Sequence, residues 1–346
     1  MMSRVIKEDI EGIVGEFESN LKELSGKKVL ITGGNGFIPS YIVDCLVRVN
    51  KDLKKPCKIV VVNKHTVNEK SRLSHLINDS NVSFITQDVG KPFKVPRGLD
   101  VILHAASRAN PASFLEDPVD TIDANVNGTR TLLEYCKKNP VDNFLLFSSG
   151  EVYGNPPKEF VPTSENFYGN VNCANARACY SESKRFAETL CAIFNEKHGV
   201  PAKILRIFHT YGPGLRDDGK VITDFFKMGK NKRIIQIKDR GEARIAFCYV
   251  SDLSREIFKT MFEGNSGEVY NLGNNSEIVS IKELAEIISE VLGNKSIVKI
   301  NSDAKEAYVR VRCPDISKIR ALGFSPRFSL REGLTRMKEH YDENGI

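Results

Sequence analysis

The sequence lacks the patterns that mark metal-binding, disulfide-bonded or exported proteins. Its eight cysteines form no CxxC pair and show no cysteine and histidine spacing typical of a metal site. Several of them lie inside apolar runs, where a cysteine packs as a small core residue. We therefore predict that the thiols are reduced, that the chain holds no metal and that its location is cytoplasmic.

Long apolar runs and dense basic tracts are absent as well. No stretch is long enough to cross a bilayer, and the first residues contain acidic side chains instead of the apolar core of a signal peptide. A formal charge of +6 is spread along the chain, which suits an anionic small ligand better than a nucleic-acid groove. We expect neither a membrane nor a nucleic acid as a partner.

Residues 28–40 combine a buried-strand pattern, a glycine-rich turn and the start of a helix. Residues 29–31 form the short apolar run of a parallel strand that is covered on both faces. Gly33 and Gly36 omit side chains where the backbone must approach a pyrophosphate, which the following helix N-terminus also attracts. Pro39 suits the first turn of that helix. This stretch predicts a dinucleotide-binding loop.

The residues before this loop carry an apolar stripe at helical spacing. The stripe predicts an amphipathic helix added to the core fold, and its members are Ile6, Ile10, Ile13, Val14, Phe17, Leu21 and Leu24. Such a helix can cap an edge of its own domain or make a subunit contact. The sequence leaves both roles open.

Strand and helix patterns alternate after the loop in this chain of 346 residues, of which 41% are apolar. Apolar runs predict strands near 58–62, 82–86, 100–104 and 143–147, with a helix over 124–138. This alternation predicts a Rossmann-like, doubly wound parallel α/β sheet that binds ligands at the carboxyl ends of its strands.

From about residue 230 the pattern changes to short strands and isolated helices. We interpret this part as a smaller, interleaved C-terminal lobe that binds substrate. The predicted division is an N-terminal helical extension (1–26), a dinucleotide-binding domain with the catalytic residues (27–230) and a lobe mainly for substrate (231–346).

The end of the second predicted strand bears on the choice of dinucleotide. In NAD-binding folds a carboxylate commonly stands there and binds the ribose 2′-hydroxyl. Here the position is Asn63, followed by Lys64, so the residues leave both NAD and NADP open. Small residues at 105–107 follow the fourth strand and would let the backbone approach the same ligand.

Tyr180 and Lys184 lie four residues apart in a helical pattern, so both face the same side of that helix. A lysine ammonium near a phenol favours the phenolate and should lower the phenol pKa towards that of a general base. Ser149, at the end of the fifth strand, could hydrogen-bond the same substrate oxygen. The three residues predict a base that removes a hydroxyl proton beside the dinucleotide.

Together these motifs resemble those of a known family, over nearly all of residues 27–340. They are similar to the extended short-chain dehydrogenases/reductases, the NAD-dependent sugar-nucleotide epimerases and dehydratases. Within that family the chain looks most like UDP-glucuronate decarboxylases and dTDP-glucose 4,6-dehydratases. The similarity rests on Thr32-Gly33-x-x-Gly36, Ser-Ser-Gly-Glu-Val-Tyr-Gly at 148–154, Tyr180-x-x-x-Lys184, Arg-Ile-Phe-His-Thr-Tyr-Gly-Pro at 206–213 and Arg-Cys-Pro-Asp-Ile at 312–316.

The resemblance implies an enzyme that oxidises C4 of a nucleotide-activated sugar with NAD, after which decarboxylation, dehydration or epimerisation follows and the hydride is usually returned. It implies that Tyr180 removes the hydroxyl proton, that Ser149 orients the hydroxyl, and that Glu151 acts near C5 or C6. The implied cofactor contacts are Gly33, Gly36, Phe37, Ile38, Asn63, Lys64, Asp88, Val89, Ala105, Ala106, Ser107, Asn125, Tyr180, Lys184 and Thr210. The implied substrate contacts are Arg177, His209, Arg216, Arg244 and Arg312.

The resemblance also implies a homodimer that pairs through a four-helix bundle, one helix of which carries Tyr180 and Lys184. An apolar stripe on that helix is compatible with this pairing and equally with packing on the sheet. Its members are Phe186, Leu190, Ile193 and Phe194.

Three positions depart from the family pattern. Gly150 stands where dehydratases carry an aspartate before the glutamate, so a simple 4,6-dehydration is not expected. Ile245 stands where an arginine usually binds the diphosphate, with Arg244 beside it, and His209 replaces an asparagine. Glu151 could also be a structural carboxylate near Arg177.

Two other functions stay open. One is a net NAD(P)-dependent 4-dehydrogenase or reductase that releases its cofactor. The other is a non-catalytic dinucleotide-binding protein, since a fold does not imply a function.

Overall fold

A seven-stranded parallel sheet forms the centre of the structure, a computed structural model that describes residues 2–216, 219–293, 296–301 and 311–344. The strands of the described residues are β1 (Lys28–Thr32), β2 (Lys58–Asn63), β3 (Val82–Thr86), β4 (Val101–His104), β5 (Asn143–Ser149), β6 (Ala202–Ile207), β7 (Thr210–Tyr211), β8 (Ile234–Ile237), β9 (Arg244–Ala246), β10 (Cys248–Tyr249), β11 (Val269–Leu272), β12 (Ile278–Ser280), β13 (Ile297–Ile300) and β14 (Val311–Arg312).

The order of the central strands is β11-β6-β5-β4-β1-β2-β3. Leu30 of β1 is in register with Val60 of β2 on one side and with Ile102 of β4 on the other. The chain builds outward from β1 to β3 and then returns to β4, so the strand order reverses between β1 and β4. In doubly wound sheets this reversal opens a crevice at the carboxyl ends of the strands, and the glycine loop lies there.

The helices of the described residues cover both faces of this sheet. They are α1 (Arg4–Glu16), α2 (Glu18–Lys22), α3 (Phe37–Asn50), α4 (Pro111–Glu116), α5 (Pro118–Lys138), α6 (Ala178–His198), α7 (Val221–Lys232), α8 (Val250–Glu263), α9 (Ile281–Leu292), α10 (Ser317–Ala321) and α11 (Leu330–Asn344). Because successive strand residues point to opposite faces, the unbroken apolar run of β1 serves two cores. Ile31 packs with α3 and α8 on one face, and Leu30 packs with α5 and α6 on the other.

The smaller lobe has a core of its own around α7, α9 and α11, with Phe225, Leu284 and Met337 buried at its centre. Its short strands form a three-stranded sheet, β12-β9-β14, and two pairs, β13-β8 and β10-β7. β9 pairs antiparallel with β12 and parallel with β14. Arg312 of β14 donates to the Gly150 carbonyl directly after β5, so this lobe contacts the carboxyl end of that central strand.

The N-terminal helices pack on their own chain. Six of the seven residues of the predicted stripe are buried against α3 and α8, Ile6 is half-buried on the same core, and Ile13 and Leu21 have no exposed surface. Arg255 of α8 binds the carboxylate of Glu16, with Nε 2.5 Å from Oε2. Of the two roles left open by the sequence, the structure therefore supports packing within the subunit for this stripe.

The predicted fold class, a doubly wound parallel sheet with an interleaved lobe, is confirmed. Two boundaries differ from the prediction. The helix predicted over 124–138 begins at Pro118, because Asp117 caps it through the Asp120 amide (3.0 Å) and proline suits a first helical position. β11 belongs to the central sheet and not to the lobe. The part of the chain that forms the lobe is therefore interrupted by a strand of the other domain. The domain division at residue 230 stays a prediction.

The cysteines and helices bear on two other expectations. All eight cysteines are free, and each of them except Cys173 is buried. Along the described ranges no helix has both the length and the apolar content needed to span a membrane.

Candidate active site

The glycine loop leads from β1 into α3 with little space for side chains. Gly33 has a φ of +67°, and a Cβ there would lie 2.8 Å from the Cα of Ala106. A Cβ on Gly36, the residue that precedes α3, would lie 2.9 Å from the carbonyl oxygen of Gly33. Both positions therefore require glycine, as a loop that brings its backbone onto a phosphate does.

Three buried polar atoms border the crevice beside this loop. Among the described residues, Asn63 Nδ2, Ser107 Oγ and Asn125 Oδ1 are the buried side-chain polar atoms without a hydrogen-bond partner. An unpaired buried polar atom is costly, and all three belong to residues predicted to bind the cofactor. They offer a donor, a hydroxyl and an acceptor, so the residues present fit a dinucleotide in this crevice.

An ion cluster closes the end of the crevice at which β2 and β3 terminate. Lys64 Nζ lies 2.7 Å from Asp120 Oδ1 and 3.0 Å from Asp88 Oδ2. Asp120 also accepts from Arg108 Nε at 2.9 Å. Lys64 is therefore held by two carboxylates, which leaves it less able to attract the 2′-phosphate of NADP.

A buried histidine, His104, is hydrogen-bonded to Thr32, the last residue of β1 before the glycine loop. Thr32 Oγ1 accepts a hydrogen bond from the Ala106 amide at 3.2 Å and lies 2.7 Å from His104 Nδ1. Thr32 thus links the ring of His104 to the backbone of the segment that follows β4. Burial and the nearby Lys184 lower the pKa of His104 to about 3, so the ring stays neutral.

The predicted catalytic residues come together where β5 ends beside α6. The Ser149 side chain hydrogen-bonds to the phenol of Tyr180. Lys184 Nζ donates to the carbonyl oxygen of Phe147 at 2.7 Å and lies 6.0 Å from the centre of the Tyr180 ring. The three residues predicted from separate motifs thus share one site.

The expected lowering of the Tyr180 pKa is not observed. Burial raises the pKa of Tyr180 to about 12, and the hydrogen bond from Ser149 opposes this only in part. Burial also lowers the pKa of Lys184 to about 8. Its ammonium donates a hydrogen bond to the Phe147 carbonyl oxygen instead of to the phenol. The Tyr180 pKa is raised because desolvation by burial outweighs the charge effect of a lysine that donates elsewhere.

Phe114 of α4 is a site residue that the sequence analysis missed. Its ring stacks on the ring of Tyr180, with centroids 5.1 Å apart and planes 8° from parallel. The guanidinium of Arg177 lies 5.7 Å from the centre of the same Phe114 ring. The stack fixes the plane of the phenol and excludes water from it. No local pattern marks Phe114, since the contact depends on how the chain returns after β4.

A buried polar network supports the other side of the site. Glu188 of α6 accepts from Ser148 Oγ at 2.5 Å and from Arg206 Nη2 at 2.7 Å. Arg206 also donates to the hydroxyl of Tyr153 at 2.9 Å. These contacts tie α6, which carries Tyr180, to the ends of β5 and β6.

A cavity of about 360 Å³ adjoins this site, between the central sheet and the lobe. Glu151, Arg177, His209 and Arg312 line it, together with residues of α7 and of β8. We call it the substrate cavity. Arg312 Nη2 lies 3.0 Å from Glu151 Oε1, and Arg177 Nη2 lies 3.8 Å from Glu151 Oε2. A carboxylate and two guanidinium groups therefore meet at one wall.

Arg312 is held in place by the backbone as well as by Glu151. Its Nη1 donates to the carbonyl oxygens of Gly150 and Gly154, each at 3.0 Å. His209 lies in the same wall, where burial and the charge of Arg312 lower its pKa to about 4. The ring is therefore neutral at physiological pH and can hydrogen-bond a substrate without adding charge.

Two predicted substrate contacts lie outside this cavity. Arg244 is exposed, and its Nη2 donates to the Ile278 carbonyl at 2.7 Å. The neighbouring Ile245 lines the cavity instead, because alternate residues of β9 point to opposite sides. Arg216 lines a different cavity, and its Nη2 donates to the Lys70 carbonyl at 3.0 Å.

The remaining predicted contacts lie along the crevice or at its ends. Thr210 is half-buried and donates from Oγ1 to the Phe208 carbonyl at 2.9 Å. Val89 is buried, whereas Phe37, Ile38 and Ala105 are half-buried beside the loop.

Comparisons with known proteins agree with this geometry. A family model described as "NAD dependent epimerase/dehydratase family" matches residues 29–273. UDP-glucuronic acid decarboxylase 6 of Arabidopsis thaliana is 36% identical over 327 residues, which cover 94% of this chain and 90% of that protein. UDP-glucuronic acid decarboxylase 1 of Xenopus tropicalis is 35% identical over 93% of this chain and 73% of that protein.

Solved structures share the fold. The dTDP-glucose 4,6-dehydratase of Streptomyces venezuelae, crystallised as a double mutant with NAD bound, is 25% identical with a TM-score of 0.78, over 91% of this chain and 97% of that one. A UDP-N-acetylglucosamine 4-epimerase of Methanobrevibacter ruminantium is 24% identical with a TM-score of 0.80, over 92% of this chain and 99% of that one. The resemblance drawn from the motifs is thereby confirmed, as is the expectation of an NAD-dependent enzyme.

Proposed function

Since the chain belongs to the NAD dependent epimerase/dehydratase family, we propose that it decarboxylates UDP-glucuronate through a 4-keto sugar and returns the hydride at the end. The observation that carries the proposal is the meeting of the Ser149, Tyr180 and Lys184 site with a wall of Glu151 and Arg312. One set of groups suits oxidation at C4, and the other suits a substrate carboxylate beside it. Relatives that cover most of the chain are named UDP-glucuronic acid decarboxylases.

Oxidation at C4 needs a base at the hydroxyl. The phenol of Tyr180, ionised for the reaction, takes the hydroxyl proton while Ser149 holds the oxygen by a hydrogen bond. NAD, which the glycine loop and the polar atoms of Asn63, Ser107 and Asn125 would hold, would supply the hydride acceptor for C4 and the hydride that is returned at the end. Lys184 donates to the backbone of β5 and lies 6.0 Å from the centre of the Tyr180 ring, and we assign it to the ribose of the bound cofactor.

Decarboxylation then follows from the chemistry of the ketone. The bond between C5 and the carboxyl carbon breaks, carbon dioxide leaves, and the electron pair enters the enolate of the C4 ketone. A proton is then added at C5, and we assign its transfer to Glu151, which lines the substrate cavity. Arg312 and Arg177 can hold the substrate carboxylate by charge-assisted hydrogen bonds, and Glu151 keeps both arginines at the wall.

A 4,6-dehydration is less compatible with this site. An acid for the leaving hydroxyl would have to come from position 150, which is glycine. A Cβ there would lie 3.1 Å from the ring of Phe208. The ring fills the space that such a side chain would need.

The decisive experiment supplies the purified chain with NAD and UDP-glucuronate. We expect carbon dioxide and UDP-xylose in equal amounts, with no net change in the cofactor, and no reaction with UDP-glucose or dTDP-glucose. Formation of UDP-galacturonate would instead identify a C4 epimerase. Reduced cofactor formed in step with product would identify a dehydrogenase, and tight NAD binding without turnover would identify a binding protein.

We also propose a homodimer through α5 and α6. Ile122 of α5 and Phe186 and Ile193 of α6 are between 40% and 53% exposed, and apolar residues so exposed on adjacent helices favour association. Phe194, the fourth member of the predicted stripe, is buried in the core instead. Light scattering should give a dimer at micromolar concentration and a monomer for Phe186→Glu. A wild-type monomer would refute this pairing.

The cytoplasmic location and the three-part domain division also remain our proposals. Free cysteines agree with a reducing compartment. The separate core around α7, α9 and α11 agrees with a substrate lobe.

A further inference from the structure

A second cavity, of about 620 Å³, lies behind the substrate cavity. Its walls are α3, the segment 69–75 after β2, the loop at 214–216, and helices α7 and α11, with the start of α1 at its edge. The volume is within the range of small-molecule sites in proteins. None of the catalytic residues lines it.

The lining of this second cavity is strongly basic. Five cationic side chains face two carboxylates, and the cations are Lys70, Arg72, Arg216, Lys227 and Lys230. One of the two carboxylates, Asp44, is hydrogen-bonded to His75, with Oδ1 2.8 Å from Nε2. A cavity with this balance attracts an anion, and arginine with lysine is the combination that binds phosphate.

Its remaining surface suits an organic body attached to such an anion. Tyr41, Phe226 and Tyr341 contribute aromatic walls. The lining also contains two buried polar side chains, His340 and Ser40, which are held by hydrogen bonds to the backbone. His340 Nε2 accepts from the Gly214 amide at 3.3 Å, and Ser40 Oγ donates to the Phe37 carbonyl at 2.9 Å. The cavity thus has an apolar part and a basic part, which inorganic phosphate alone would not use.

Helix α7 separates the two cavities. The face at positions 221, 224, 225 and 228 lines the substrate cavity, and the face at positions 223, 226, 227 and 230 lines the second cavity. Within each set the positions are three or four residues apart, so the two sets lie on opposite sides of the helix. A ligand that shifts α7 from one side therefore changes the wall of the other cavity.

The second cavity also contacts the cofactor loop. Arg72 Nη1 donates to the Asn35 carbonyl of the glycine loop at 3.3 Å, and Arg72 Nε donates to the Gly214 carbonyl at 2.9 Å. One side chain of the cavity thus joins the loop that faces the pyrophosphate to the loop that leads towards α7.

We propose that the second cavity is a regulatory site for a phosphorylated small molecule, a sugar phosphate or a nucleotide, whose binding changes nucleotide affinity in the substrate cavity through α7. Lysine and arginine side chains bind the phosphate, and the aromatic walls hold the sugar or base. The proposal rests on the proposed function only in taking UDP as an occupant of the substrate cavity.

The test titrates the full chain, saturated with NAD and UDP, with glucose 6-phosphate, AMP or inorganic phosphate in a calorimeter. We expect one of the two esters to bind, and to bind more tightly than inorganic phosphate. Glucose 6-phosphate as the binder indicates a sugar phosphate, and AMP indicates a nucleotide. Equal affinity for inorganic phosphate and both esters would overturn the proposal, and so would no binding at millimolar concentrations.

Charge reversal locates the site. Lys227→Glu and, independently, Lys230→Glu should weaken the ester by at least about tenfold, which corresponds to the loss of one charged contact. Lys197→Glu, at an exposed lysine near the end of α6, should leave its affinity unchanged. Equal effects of all three variants would place the ligand elsewhere and overturn the proposal.

The coupling is measured without turnover. The ester that binds should change the dissociation constant of UDP by about fivefold or more, and the change should disappear in Lys227→Glu. A constant UDP affinity would overturn the regulatory role. Failure of UDP to bind at all would count against the proposed function, whereas titration of the ester without UDP would still report on the second cavity.

Discussion

Replacing Glu151 by glutamine should separate oxidation of the sugar from the step that follows. Glutamine keeps the shape of the side chain and removes its charge. The carboxylate whose oxygen lies 3.0 Å from Arg312 Nη2 is replaced by a neutral amide. Arg312 keeps its two backbone acceptors, the carbonyl oxygens of Gly150 and Gly154, each at 3.0 Å. The guanidinium should therefore stay in place.

The expected change in stability is small. Glu151 is 31% exposed, and ion pairs with partly exposed partners contribute about 0–1 kcal/mol. The free energy of unfolding should fall by less than about 1 kcal/mol, as urea denaturation would show. A loss of activity in this variant then reports on chemistry and not on folding.

The effect on turnover should be large. A positioned acid or base contributes roughly 10²–10⁴-fold, so we expect UDP-xylose formation to fall by that factor. Because Ser149, Tyr180 and Lys184 are unchanged, C4 should still be oxidised. Rapid mixing with UDP-glucuronate should then show bound reduced nicotinamide accumulating towards one equivalent per site.

Two matched variants define this result. Tyr180→Phe lacks the base for the first step, so its cofactor should stay oxidised. Glu182→Gln changes a carboxylate on α6 that lies 3.6 Å from Arg185 Nε and should turn over normally. Normal turnover of Glu151→Gln would make Glu151 structural, and a cofactor that stays oxidised in it would place Glu151 in the oxidation step instead.

Three further outcomes are expected. Gly36→Val should abolish NAD binding in calorimetry, because its Cβ would lie 2.9 Å from the Gly33 carbonyl oxygen; undiminished affinity would show that the loop does not bind the pyrophosphate. Asp120→Asn should raise affinity for NADP by up to about tenfold with little effect on NAD, since it frees Lys64 from one carboxylate; an unchanged ratio of the two affinities would contradict this. The pKa of His104 is about 3 in the folded chain and 6.5 when exposed. The stability that depends on neutral His104 is therefore complete above pH 6.5, and the free energy of unfolding falls on acidification by up to about 1.4 kcal/mol per pH unit. Urea unfolding of His104→Gln should show a shallower dependence of this free energy on pH, and an identical dependence would refute the assignment.

The sequence by itself determined the central architecture. Residues 29–31 are apolar on both faces, and only a strand buried on both sides by helices accommodates such a run. The glycines at 33 and 36 followed from the backbone approach that a dinucleotide loop requires. These are local constraints, because the neighbouring residues alone decide whether a strand, a turn or a helix can form.

The sequence also predicted which catalytic residues lie together, but it did not predict their electrostatics. Helical spacing places Tyr180 and Lys184 on one face, and the strand end places Ser149 nearby. Whether the phenol is easily ionised depends on burial and on where the lysine ammonium binds. Those are tertiary properties, and here the ammonium donates to Phe147 while the phenol is desolvated.

Only the tertiary structure decided which cations face the substrate. Arg216, Arg244 and Arg312 are equivalent as charges in the sequence, yet Arg312 alone of the three lines the substrate cavity. The direction of each side chain depends on strand pleat and on loop path, which bring residues distant in sequence together. The stacking of Phe114 on Tyr180 and the two faces of α7 have the same origin, since contacts between distant segments leave no pattern in either segment alone.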